Sequence, residues 1–127
     1  METKNPFLVI VDDDESVGRS IKRLLRSAGI AAEYFVDGAE FLQLLEAKPS
    51  YRPDCVILDV QMPGLNGIQT LQKLREIDHS VRVILSSGYS EQDVLLQAQE
   101  LHPAAFLQKP YGLEGLVAMV RTVMQEN

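Results

Sequence analysis

Cysteine is almost missing: Cys55 is the one thiol in 127 residues, so no internal disulfide can form and the chain reads as one made for a reducing compartment. Cys55 stands in the apolar run 55–58 and reads as a small buried hydrophobe, not a nucleophile. Positive charge is scarce as well. Twelve Lys and Arg against eighteen Asp and Glu give a net charge of −6, which repels phosphate backbones and anionic lipid and disfavours direct nucleic-acid or membrane binding. Long apolar stretches are absent: residues 7–11 run straight into acid, too short for a signal-peptide core or a membrane span. The expected location is the cytoplasm. There is no linker, low-complexity tract or sequence repeat. What is present, 46% hydrophobic and 24% charged residues, is the balance of a single globular domain over residues 1–127. A chain of this size buries roughly two-thirds of its unfolded surface and needs no staple.

Apolar runs rich in Val, Ile and Leu recur at residues 7–11, 56–58 and 81–85, without the alternation of a strand that has one wet face. They predict strands covered on both sides. Residues 31–35 and 104–107 are weaker candidates and complete a spacing of about 25 residues per strand-plus-helix unit. Between them the period turns helical. Val17, Ile21, Leu24, Leu25 and Ala28 form one stripe, stopped by Gly29. Phe41, Leu42, Leu44 and Leu45 mark a second helix, with Asp37 and Glu40 spaced to cap it. Ile68, Leu71, Leu74 and Ile77 mark a third, and Ser90 with Asp93 opens a fourth through Val94, Leu95, Ala98 and Leu101. A fifth runs from about Leu113 through Leu116, Val117, Val120 and Val123. Strands alternating with helices predict an α/β domain, a doubly wound parallel sheet with helices on both faces.

In such sheets ligands bind beyond the carboxyl ends of the strands, so the residues that follow each run are the informative ones. Asp12, Asp13 and Asp14 follow the first, Asp59 ends the third, Ser86 and Ser87 follow the fourth and Lys109 follows the fifth. If the first and third strands are neighbours, Asp12, Asp13 and Asp59 converge. Three carboxylates so close stay ionised only around a cation, and oxygen ligands with no Cys or His nearby favour a hard ion, Mg²⁺ over Ca²⁺. A lysine ammonium and a serine hydroxyl at the same rim suit phosphoryl oxygens. Each piece alone is ordinary, since aspartates at strand ends commonly cap helices; the combination at four matching positions is not.

These motifs, residues 9–14, 58–67, 85–89 and 106–110, resemble those of the receiver domains of bacterial two-component response regulators over essentially the whole chain. The resemblance implies a (βα)5 domain with strand order 2-1-3-4-5. It implies Asp59 as the phosphoacceptor, taking a phosphoryl group from a sensor histidine kinase or histidine phosphotransfer protein. Asp12, Asp13, Asp59 and the backbone carbonyl of Gln61 would hold Mg²⁺ or Mn²⁺, Asp12 mostly through water. Lys109 would pair with the phosphoryl group and Ser87 would hydrogen-bond it after moving inward. Ser87 and Phe106 would act as the switch pair, Phe106 through packing alone because it lacks a hydroxyl, although a plain core phenylalanine explains it equally well. Gln61 and Tyr89 would tune dephosphorylation. The resemblance also implies a cis Lys109-Pro110 bond, a downstream effector protein or attached output domain controlled by the face of the fourth helix, fifth strand and fifth helix, and a homodimer that depends on phosphorylation. No enzyme beyond its own phosphoryl transfer and slow autodephosphorylation is expected.

Two departures stand out. His102-Pro103 replaces the small Gly-Ala step usual before the fifth strand and stiffens that connection, and Ser87-Gly88 replaces the commoner Thr-Ala. Asp14 reads as a first-turn charge favourable to the helix dipole; His79 and His102 lie outside the rim. The strongest rival is a phosphatase of the haloacid dehalogenase type with Asp12 as nucleophile, but it leaves Asp59 without a role and lacks its later acidic motif. A calcium loop from Asp12 fails because Val17 and Arg23 occupy its glycine and glutamate positions. A flavin module would want a hydroxyl-rich first loop. A non-phosphorylated interaction module stays as the alternative from another class. The chain stops soon after the fifth helix, which leaves open a single-domain receiver or one domain of a longer regulator or hybrid kinase.

Overall fold

The computed structural model describes residues 7–62 and 64–125; Pro63, inside the expected motif 58–67, lies outside the described residues. Five strands, β1 (Phe7–Val11), β2 (Ala31–Phe35), β3 (Cys55–Asp59), β4 (Arg82–Ser87) and β5 (Ala105–Gln108), pair in parallel in the order β2-β1-β3-β4-β5. Five helices alternate with them: α1 (Glu15–Ser27), α2 (Gly38–Ala47), α3 (Gly67–Ile77), α4 (Glu91–Ala98) and α5 (Leu113–Gln125). The architecture is the expected doubly wound α/β domain.

The continuous apolar runs are continuous because both faces of β1, β3 and β4 are covered. Successive side chains of a strand alternate faces, and here they feed two separate cores. Val9, Val11, Val56, Leu58, Val83 and Leu85 pack against α2, α3 and α4, whereas Leu8, Ile10, Ile57 and Ile84 meet Ile21, Leu25, Leu116, Val120 and Val123 of α1 and α5. Each such side chain contributes about 1.5–3 kcal/mol on burial. A one-residue slip of any central strand would exchange the two sets, so the register places the strand ends firmly.

Boundaries differ from expectation where polar residues sit inside elements. The fourth strand starts at Arg82, not Val81, and runs on through Ser86 and Ser87, both fully buried; its serines are the last rungs of the sheet and not the loop beyond it. The third strand ends at Asp59 as expected but starts one residue earlier, at Cys55, and the fifth is shifted by one residue to Ala105–Gln108. The fourth helix ends at Ala98 and continues as a single 3₁₀ turn, Gln99–Leu101. His102 then turns left-handed at φ 54°, a conformation uncommon outside glycine. Arg75 of α3 holds this connection by donating to the carbonyls of Leu101 (2.8 Å), His102 (3.1 Å) and Val81 (2.7 Å).

Caps set the helix starts that border the sheet's carboxyl edge. Asp14 is the N-cap of α1, accepting from Ser16 and Val17 N–H, so it stands just outside the first turn where it was expected within it. Asp37 and Ser90 accept from Glu40 and Asp93 N–H as the spacing predicts. Asn66 and Gln69 form a reciprocal capping box on α3. Gly29, at φ 84°, ends α1 as expected.

Candidate functional site

The site lies at the carboxyl edge where β1, β3, β4 and β5 end side by side. Register alone explains the convergence: Val11 pairs with Leu58, and Asp59 pairs with Ser86, so the residues after Val11 open beside Asp59. Asp12 and Asp59 are nearly closed to solvent, 3% and 2% exposed, whereas Asp13 is exposed. One carboxylate oxygen from each of the three lies within 4.8 Å of the others. Lys109 reaches in from the end of β5, its Nζ 3.4 Å from Asp12 Oδ2 and 3.3 Å from Asp59 Oδ1, and a cis bond joins it to Pro110.

Two buried carboxylates share one ammonium here, and the charge balance shows in the acidities of Asp59 and Lys109. Burial first, and then the neighbouring Asp12 carboxylate, push the Asp59 carboxyl up to about 6 against the opposing pull of Lys109. Burial depresses the Lys109 ammonium, but Asp12 and Asp59 outweigh it, so its pKa lies above the ordinary lysine value. An oxygen-only donor set carrying surplus negative charge fits a hard divalent cation. Because the folded-state pKa of Asp59 is raised above 3.8, its contribution to stability is full below the unfolded value and is lost as pH rises through about 6. Metal-free protein should therefore lose thermal stability relative to Asp59→Asn between about pH 4 and pH 7. A difference between the two melting curves that stays flat over that range would contradict this electrostatic reading.

The other expected residues fall around this centre. Ser87 is fully buried, its hydroxyl donating to Gln61 Oε1 at 3.1 Å and accepting from Tyr89 N–H at 2.9 Å. Gly88 N–H donates to the same Gln61 oxygen at 2.7 Å. Gln61 N–H in turn donates to Asp59 Oδ1 at 3.3 Å. The side chain of Gln61 thus bridges β3 and β4 across the rim, an arrangement the sequence did not disclose. Tyr89 is 61% exposed and, with Gln61, lines an open groove between the β3–α3 loop and α4. Phe106 is half-buried and packs on the α2–α3–α4 side of the sheet. Gly67 explains how the β3–α3 loop folds back so tightly. A Cβ there would run into the Asp59 carbonyl and 2.6 Å from Val60 Cα, so any side chain would push the strand end that carries Asp59.

A doubly wound sheet with buried aspartates, a lysine and a serine at its carboxyl edge defines a small signalling module of the phosphoryl-handling kind. The family model for the response regulator receiver domain matches residues 8–121, and the chain belongs to that family, the phosphorylation-controlled domains of two-component systems; it is not a classical enzyme. The transcriptional regulatory protein PrrA of Mycobacterium tuberculosis is 36% identical over 95% of the chain and 51% of its own length. The sporulation initiation phosphotransferase F of Bacillus subtilis is 30% identical over 87% of the chain and 86% of its own length. A response regulator receiver protein from Burkholderia phymatum superposes with a TM-score of 0.83 at 46% identity, covering 96% of this chain and 97% of that one. The chain spans about half the length of PrrA. Among the described residues, no helix is long and apolar enough to cross a membrane.

Proposed function

We propose that the chain, as one receiver domain over residues 1–127, accepts a phosphoryl group on Asp59 and thereby works as a cytoplasmic signalling switch. The observation that carries this reading is the meeting of Asp12, Asp13, Asp59, Lys109 and Ser87 at one rim. A carboxylate oxygen of Asp59 attacks phosphorus, a P–O bond forms, and the donor's P–N bond breaks. Its electron pair stays on the departing imidazole, which takes up a proton. The phosphohistidine donor would belong to a sensor kinase or a histidine phosphotransfer protein. Asp12, Asp13, Asp59 and the Gln61 carbonyl would hold Mg²⁺ or Mn²⁺, which when bound neutralises charge on the phosphoryl oxygens. Lys109, already paired with both buried carboxylates, supplies the second positive charge. The 86% coverage of the sporulation phosphotransferase supports a single-domain receiver acting through a partner protein. The match to half of PrrA supports an attached output domain.

Switching follows from hydrogen-bond exchange. A phosphoryl oxygen on Asp59 competes with Gln61 Oε1 for the Ser87 hydroxyl, and Ser87 and Phe106 tie the rim to the face made by α4, β5 and α5. The ligand shifts the equilibrium only by contacts it makes in one state and not the other. Adding beryllofluoride, a phosphoryl mimic, with Mg²⁺ is expected to shift amide resonances across residues 90–120; shifts confined to the Asp59 loop would refute the proposed output face. That face is also where a phosphorylation-dependent homodimer would form.

Dephosphorylation requires a water in line with the leaving carboxylate. Tyr89, 61% exposed beside the buried Ser87, would border that approach and cover it with its ring, whereas the Gln61 side chain is engaged with Ser87 and Gly88. Tyr89→Ala is expected to speed loss of the phosphoryl group more than Gln61→Ala, because a single neutral hydrogen bond is worth only about 1 kcal/mol. A rate unchanged or slowed by removing the ring would overturn the shielding role.

A further inference from the structure

Tyr34, on β2, has no place in the constellation described so far, yet its hydroxyl donates to the backbone carbonyl of Asp12 at 2.6 Å. Its neighbour Phe35 accepts from Asp12 N–H through its own carbonyl at 3.2 Å. Two successive residues of the edge strand therefore hold both backbone polar groups of Asp12. The carbonyl that Tyr34 holds belongs to the peptide unit joining Asp12 to Asp13, so it sets the direction in which Asp13 leaves the chain. Asp13 is exposed, and its direction depends on that backbone more than on packing. Asp12 is tied down further on the other side, where its Oδ1 accepts from Asp14 N–H at 2.9 Å.

The ring that carries this hydroxyl has a seat of its own. Gly18, one turn into α1, lies under it, and a Cβ on Gly18 would overlap the Tyr34 ring atoms Cε1, Cδ1 and Cζ. The absence of a side chain at position 18 is what lets the ring lie flat against α1 and reach the Asp12–Asp13 peptide. Gly18 and Tyr34 fit each other, and together they reach a peptide whose orientation a cation between Asp12, Asp13 and Asp59 would feel.

We infer that Tyr34 is a positioning residue for the divalent-cation site, its hydroxyl fixing the Asp12–Asp13 peptide so that the exposed Asp13 carboxylate faces Asp59. The inference rests on the proposed function of that rim. Outer partners that orient a metal's ligands commonly carry tenfold effects on affinity without touching the ion.

The test is Tyr34→Phe, which keeps the ring on Gly18 and removes only the donor. Calorimetric titration of the full chain with Mg²⁺ is expected to show affinity weakened about fivefold to tenfold, with the thermal midpoint in chelator nearly unchanged. Labelling by acetyl phosphate should then need more Mg²⁺ for half-maximal rate but reach the parent rate at saturation. Mg²⁺ affinity equal to the parent's, in a variant that melts like the parent, would overturn the positioning role. Gly18→Ala, which forces the ring off its seat, should weaken Mg²⁺ at least as much. Asp13→Asn distinguishes the two levels: if it weakens binding and Tyr34→Phe does not, this inference alone fails. A parent chain that binds no Mg²⁺ overturns both.

Discussion

Replacing Asp13 by Asn is expected to weaken Mg²⁺ binding more than about tenfold, and to take the rate of phosphoryl acceptance from acetyl phosphate down with it at low Mg²⁺. The reason is charge count at close range. Asp12, Asp13 and Asp59 bring three carboxylates within 4.8 Å, and Lys109 meets two of them. Asp13 is the exposed member, so its replacement removes the charge of a proposed ligand without emptying a packed position. The isosteric amide should leave the fold intact and the melting curve in chelator close to the parent's. Unchanged Mg²⁺ affinity in this variant would sink the assignment of Asp13 as a ligand.

Lys109→Ala should have a different signature. The ammonium lies 3.3 Å from the oxygen of the proposed nucleophile, and its loss leaves two nearly buried carboxylates facing each other with no described cation in its place. The Asp59 carboxyl, already pushed up to about 6 by burial and Asp12, should rise further, leaving less carboxylate to attack at neutral pH. A positioned charge on a developing phosphoryl group is worth about a hundredfold in rate, so labelling should slow by that order even at saturating Mg²⁺. Lys109→Arg should not restore it, because the planar guanidinium cannot replace a compact charge between two fixed oxygens. Initial labelling rates at saturating Mg²⁺ and several pH values decide this; an alanine variant labelled at the parent rate would remove Lys109 from the transfer step.

The fold was legible in the sequence because its central strands are covered on both faces, and a run such as residues 7–11 has one reading in that setting. Legibility declined where function overrides the pattern. Ser86 and Ser87 are polar, so they look like loop, yet they are fully or nearly buried strand residues; sites of chemistry are where local rules are broken. The site's acids, hydroxyl and lysine were visible as residues that follow apolar runs, and their convergence needed the strand order that the family resemblance supplied. Tyr34 and the Gln61 side chain were not legible in these roles. Each works through a hydrogen bond across strands, to the Asp12 carbonyl and to Ser87 and Gly88, and no spacing along the chain encodes such a contact. Gly18 was the one available signal for Tyr34: a glycine in the middle of a helix costs about 1 kcal/mol relative to alanine and calls for a packing reason. Arg75 is similar, joining carbonyls on either side of α4 through contacts with no local signature.

Asp59 is proposed to receive a phosphoryl group in a cation-dependent reaction. Intact mass of the full chain after incubation with acetyl phosphate and Mg²⁺ tests it directly, with Asp59→Ala and a chelator-treated sample alongside. The expected result is one added phosphoryl group on the parent, removed by hydroxylamine as an acyl phosphate should be, and none on Asp59→Ala or in chelator. A parent that stays unmodified, or an Asp59→Ala variant that gains the same mass, would contradict it.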